Sequence, residues 1–120
     1  MQAEDRDAAY LWDLVEAAKT IRQFTEKLKF KDYEKNRMLQ LAVERELEVI
    51  GEAARNLSQN FKDAHPELPW ARIIAQRNVL AHEYGDIRQD RIWQVVTTRV
   101  PELILVLEPL IPKLPPDSKG

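Results

Sequence analysis

Residues 36–58 read NRMLQLAVERELEVIGEAARNLS, and this stretch decides the fold. Leu39, Val43, Leu47, Ile50, Ala54 and Leu57 recur at steps of three and four, the spacing that lines one face of an α-helix. They predict a helix from about Asn36 to Ser58. A second apolar stripe, Met38, Ala42, Val49 and Ala53, runs beside the first. A surface helix needs a single stripe. Two stripes predict that this helix packs on a further surface, either of its own bundle or of another copy of the chain.

Working outward, residues 7–28 repeat the pattern through Leu11, Leu14, Val15, Ala18, Ile21, Phe24 and Leu28, and predict a preceding helix. The charged segment 29–35 predicts a turn. On the other side, QNFKDAHPELP (residues 59–69) contains two prolines and predicts a loop. Pro69 fits the first position of a third helix, Trp70 to about Ala81, because its missing N–H is not needed there. Gly85 can take a positive φ and close that helix, and Asp86 or Asp90 can cap a fourth. Ile92, Val96, Val100, Leu103, Leu107 and Leu110 supply the buried face of the fourth helix, with a kink or break expected at Pro101. Pro109, Pro112, Pro115 and Pro116 end it. No segment alternates as a strand does. The expected fold is all-α, an antiparallel bundle of four to five helices over residues 1–112, with a tail at 113–120.

Composition narrows the function. The chain has 120 residues, 44% hydrophobic and 32% charged, which suits one packed domain and argues against disorder. It has no cysteine, so disulfides, thiolate metal sites and a cysteine nucleophile are excluded. No apolar run approaches membrane-spanning length, and the acidic, amphipathic N-terminal stretch does not read as a signal peptide; the expectation is a cytoplasmic protein without membrane contact. The net charge of −2 argues mildly against general nucleic-acid binding, but the charge is uneven. Residues 1–71 carry 11 basic against 14 acidic side chains, whereas residues 72–99 carry five arginines against three acids. Arginine is the side chain best shaped to hold phosphate by two-point contact, although scattered solvated charge accounts for most such residues.

The chemistry concentrates in RNVLAHEY, residues 77–84. Histidine ionises nearest neutrality and can serve as base or acid. Arginine stays charged and can stabilise negative charge developing on phosphate oxygens. RNA carries its own nucleophile, the ribose 2′-OH, so a base, an acid and a positive charge suffice to cleave it without metal. Arg77 and His82 are five positions apart and diverge on an unbroken helix; they converge more easily if the helix ends near His82 and the chain bends at Gly85. One histidine cannot readily fill both proton-transfer roles, and a dimer would supply two. The bland alternatives are a helix cap for His82, an ion pair with Glu83 or Asp86 for Arg77, and an amphipathic rim position for Tyr84. Glu44, Glu48 and Glu52 share a helix face, but without a Glu-x-x-His partner they read as solvated surface. Trp12, Trp70 and Trp93 read as core and interface anchors.

The spacing Arg77-x4-His82-x-Tyr84 resembles the signature of the HEPN superfamily, in particular HepT-like toxins encoded beside minimal nucleotidyltransferase antitoxins. The order of Phe24-Thr25, Arg45-Glu46-Leu47, Ile50-Gly51-Glu52-Ala53, Leu57-Ser58, Pro69-Trp70, Arg77-Asn78 and Trp93 is similar to that family over most of the chain. The resemblance implies a HEPN-like fold and a metal-independent endoribonuclease, the toxin of a toxin–antitoxin pair, acting as a homodimer. Arg77 and His82 would be catalytic, and Asn78 would hold phosphate or orient the histidine. No metal or other cofactor is implied. The nucleotidyltransferase partner would transfer AMP from ATP onto Tyr84 and so neutralise the enzyme. A non-catalytic helical module that binds the nucleotidyltransferase is the competing expectation, and a nucleotide-binding bundle without cleavage is a third.

Overall fold

A computed structural model describes residues 3–82 and 87–111, with backbone alone for residues 3–5, 81 and 82. The fold is an antiparallel all-α bundle, and no strand occurs among the described residues. Its long elements are α1 (Ala3–Thr25), α3 (Arg37–Asn56), α5 (Trp70–His82) and a final rod. That rod runs from α6 (Gln89–Gln94) through a π-helical turn, Val95–Arg99, into α7 (Val100–Leu107). Helix α3 packs on both α1 and α5, and α7 packs on α1.

The first apolar stripe of α3 is its core face: Val43, Leu47, Ile50, Ala54 and Leu57 are buried. They meet Leu11, Leu14, Val15, Ala18 and Ile21 of α1 in one hydrophobic cluster, with Val100, Leu103 and Leu107 from α7. The second stripe divides. Ala53 is buried and Ala42 and Val49 are half-buried, while Met38 is 81% exposed and its neighbour Leu41 is 50% exposed. The Asn36 side chain caps α3 as its type predicts, accepting the Leu39 N–H at 3.0 Å.

Several expected boundaries move. Helix α1 stops at Thr25, short of Leu28: the Thr25 hydroxyl donates back to the Ile21 carbonyl at 2.8 Å, and Lys27 turns the chain at φ 73°. Phe24 and Leu28 therefore lie outside the core. The expected turn at 29–35 contains a short helix, α2 (Phe30–Glu34), which buries Tyr33 completely. The expected loop at 59–69 begins with α4 (Gln59–Ala64), capped by the Ser58 hydroxyl accepting the Phe61 N–H at 3.0 Å. Asp90 does not cap α6; Arg88 holds that position, and Asp90 lies in the first turn.

The α-helical ladder of the rod is interrupted just before Pro101. The π-helical turn precedes it, with the Val100 N–H bonded to the Val95 carbonyl, so the chain enters α7 with proline in its first turn, where no N–H is required. Leu110, expected in the buried face, is 41% exposed because α7 ends at Leu107 and a single 3₁₀ turn follows. Tyr84, Gly85, Asp86 and the expected tail at 113–120 lie outside the described residues.

Candidate active site

Helices α3 and α5 touch at Gly51. A Cβ built there would collide with the Cβ of Arg77, approach its Cγ to 2.8 Å and the Ile73 carbonyl oxygen to 3.2 Å. Only glycine allows this approach, and the aliphatic stem of Arg77 lies across the notch. The guanidinium is thereby delivered to the next residue of α3: Nη2 of Arg77 is 3.3 Å from Oε1 of Glu52. The other Glu52 oxygen accepts from the Asn56 side-chain amide at 3.3 Å. Nη1 of Arg77 donates to Oδ1 of Asn78 at 3.2 Å. Arg77 is thus clamped by one carboxylate and one amide, with its other N–H groups not taken up by any described partner.

This pair is half in solvent: the side chains are 27% and 48% exposed for Arg77 and Glu52. Screening at that exposure leaves the ion pair only about 0–1 kcal/mol of stability. Its consequence is direction. Arg77 and Glu52 border a cleft of about 220 Å³ between α1, α3 and α5, which also meets Asp13, Arg45 and Glu48. Three carboxylates against two guanidiniums make the cleft unfavourable for an anion.

Helix α5 continues without interruption to His82, where its described part ends. Along it the Cα atoms of Arg77 and His82 are separated by about 140° around the axis and about 7.5 Å along it. Asn78 and His82 are four residues apart, hence neighbours on one face of the backbone. The structure therefore brings together Arg77, Asn78 and Glu52, and places the His82 backbone beyond Asn78. The ion-pair partner of Arg77 among the described residues is Glu52; Glu83 and Asp86, the partners suggested by the sequence, lie outside the described residues. The role of the Gly51-Glu52 pair, which no sequence pattern revealed, follows from this crossing.

The glutamate ladder of α3 also needs correction. Glu44 is buried, not solvated. Nε2 of Gln89, at the start of α6, donates to Oε2 of Glu44 at 2.7 Å, and the Tyr33 hydroxyl donates to Oε1 of Gln89 at 2.6 Å. Arg37 lies 3.8 Å from Glu44. Burial, and after it the Glu44 charge, push the Tyr33 phenol above its ordinary range, against the opposing pull of Arg37. This chain of contacts ties α6 to α2 and α3, fixing where the backbone resumes after the Arg-His-Tyr segment. Trp93 covers Tyr33 with ring centroids 5.1 Å apart, an anchoring role like that of Trp70, which is buried and donates through Nε1 to the His65 carbonyl at 2.9 Å. Among the described residues no group of three or more metal-ligating side chains converges, and no helix is long and apolar enough to cross a membrane.

Residues 14–110 match the sequence profile of the family described as "Ribonuclease HepT-like". The chain is 39% identical over 103 residues to "Putative RNase MJ0127" of Methanocaldococcus jannaschii, covering 86% of this chain and 85% of that protein. It is 38% identical over 94 residues to "Probable ribonuclease HepT" of Thermococcus cleftensis, covering 78% and 86% respectively. A second M. jannaschii protein, "Putative RNase MJ1380", is 35% identical over 95 residues, or 79% of this chain and 87% of that one. No solved structure matches the chain significantly.

Proposed function

This chain belongs to the HepT-like ribonuclease family, and from that membership we propose that it is a metal-independent endoribonuclease whose catalytic residues are Arg77 and His82. The observation that carries the proposal is the seating of Arg77. Its stem fills the Gly51 notch, Glu52 and Asn78 hold its guanidinium, and its side chain stays 27% exposed.

In this reading an imidazole of His82 takes the proton from a ribose 2′-OH. The 2′-oxygen forms a bond to phosphorus, and the P–O5′ bond breaks. An imidazolium protonates the departing 5′-oxygen, leaving a 2′,3′-cyclic phosphate and a 5′-hydroxyl. Arg77 neutralises the charge that builds on the non-bridging oxygens. Asn78, bonded to Arg77 and one helical turn before His82, keeps the two in register. Base and acid are needed together, so the working unit is a homodimer with two copies of His82. The exposed Met38 and Leu41 on α3 supply apolar surface of the kind such an interface uses.

The protein acts in this reading as the toxin of a pair with a minimal nucleotidyltransferase. The partner transfers AMP to Tyr84: the phenolic oxygen attacks the α-phosphorus of ATP and pyrophosphate leaves. A nucleotide two residues from His82 occupies the place of the scissile phosphate. Purified protein, shown by intact mass to carry no AMP, is expected to cleave total cellular RNA in EDTA, and Arg77→Ala and His82→Ala are expected to abolish cleavage. Absence of cleavage by the unmodified parent would leave the helical module that only binds its nucleotidyltransferase as the better reading.

A further inference from the structure

The arginine-rich stretch 72–99 does not scatter over the surface. Arg72, Arg88 and Arg91 border a single groove of about 380 Å³ between α5 and α6, on the flank of α5 away from Gly51. Its floor is aliphatic: Leu80 and Ile92 are buried, Ile87 is half-buried and Val79 is 48% exposed. No carboxylate lines it among the described residues. Arg88 is held by Asp90 through two hydrogen bonds of 3.2 and 3.0 Å, whereas Arg72 and Arg91 are exposed and make no ion pair among the described residues. Arg99 adjoins the groove, donating to Gln76 on its wall at 3.2 Å. Burial and then the nearby Arg72 charge lower the Arg99 pKa, so two guanidiniums repel each other here, only partly offset by Glu102. An anion settling between them relieves that repulsion.

We propose that this groove binds the single-stranded RNA substrate, with Arg72, Arg91 and Arg99 on consecutive phosphates and a base or ribose against the Val79–Ile92 floor. An aliphatic floor rimmed by arginines, of which Arg72 and Arg91 have no ion pair among the described residues, matches the two surfaces of a nucleotide, and a bare inorganic anion has no use for the floor. The volume lies in the range of about 300–1,000 Å³ that holds one small ligand, which suits an unpaired nucleotide. A helix about 10–12 Å across separates the groove from Arg77, so a strand lying over the end of α5 reaches both. The inference rests on the ribonuclease reading for its ligand, but it assigns binding to residues outside the Arg-His pair.

The test is fluorescence anisotropy of a labelled, short 2′-O-methyl oligoribonucleotide, which binds without being cut, over a potassium chloride series. The full-length, AMP-free protein is compared with Arg72→Gln/Arg91→Gln and with Arg72→Lys/Arg91→Lys, alongside cleavage of the same sequence as unmodified RNA. The Gln pair is expected to raise Kd about tenfold and to lower the salt slope by about 1.4, at about 0.7 per phosphate contact on a single strand. Its cleavage should show a raised KM with kcat retained. The Lys pair, which keeps the charge, should hold the salt slope, and this also guards against misfolding of the Gln pair. Unchanged Kd and salt slope in the Gln pair, while the parent cleaves RNA, overturns the groove and leaves the ribonuclease reading intact. Groove-dependent binding by a parent that cuts nothing does the reverse. Competition by poly-glutamate as strong as by RNA of equal charge also overturns the proposal, because the groove would then suit an acidic protein surface.

Discussion

Nη2 of Arg77 stands 3.3 Å from the Glu52 carboxylate because the residue before Glu52 is a glycine over which the arginine stem can pass. Position and direction of the Arg77 guanidinium are therefore set by two adjacent residues of a different helix.

Gly51→Ala separates local from tertiary effects. Alanine in mid-helix gains about 1 kcal/mol over glycine from propensity alone. Here the added methyl meets the Arg77 stem and the Ile73 carbonyl, neither of which can swing aside, and overpacking of that kind costs about 1–3 kcal/mol. The collision should win, and thermal denaturation should show a lower Tm. Cleavage should fall about a hundredfold, the usual result of displacing a catalytic group by about 1 Å.

Glu52→Gln keeps the size of the side chain and removes its charge. The ion pair is half-exposed, so the unfolding free energy should change by about 1 kcal/mol or less. The arginine loses its directing partner, and kcat should fall about tenfold. KM should not rise, because a carboxylate that repels phosphate has gone. A raised KM with unchanged kcat in steady-state kinetics would show that Glu52 serves binding only.

Tyr33 predicts a loss of stability in alkali. Its phenol is held above the ordinary value of 10.0 in the folded chain, chiefly by burial. The unfolded chain loses that proton first, so the contribution is complete below about pH 10 and declines as pH rises beyond it, by up to about 1.4 kcal/mol per pH unit. Tyr33→Phe should flatten this decline in denaturant titrations between pH 9 and 11. At neutral pH it should cost about 1 kcal/mol through the lost bond to Gln89. An equal alkaline slope in both proteins rules out Tyr33 as the group responsible.

Mixing inactive Arg77→Ala and His82→Ala proteins tests the homodimer. If one cleft uses Arg77 and His82 from both chains, subunit exchange should restore a fraction of parental cleavage. Light scattering that finds only monomer at active concentrations, with no restored cleavage on mixing, would contradict the paired arrangement.

The long helices were legible because their apolar residues repeat at helical spacing: the Leu39–Leu57 stripe and the Leu11–Ile21 stripe both became core. Helices α2 and α4 were missed because five or six residues are too few for a periodic signal. Ser58, a good cap before a charged segment, was the available sign of α4. Glu44 looked like solvated surface because its partner Gln89 lies 45 residues away and carries no charge to advertise the contact. Arg77 stood out by residue type and spacing, and Asn78 through the family resemblance. The part played by Gly51 and Glu52 did not, since it arises only where α3 crosses α5. The clustering of Arg72, Arg88 and Arg91 likewise depends on how α6 folds back beside α5.

RNA cleavage by Arg77 and His82 without metal can be read from the end groups of a defined oligoribonucleotide incubated in EDTA with protein of verified unmodified mass. Fragments ending in 2′,3′-cyclic phosphate are expected, none when the scissile ribose is 2′-O-methylated, and none with Arg77→Ala or His82→Ala. Fragments that persist in either variant, or no fragments from the unmodified parent, would contradict this mechanism.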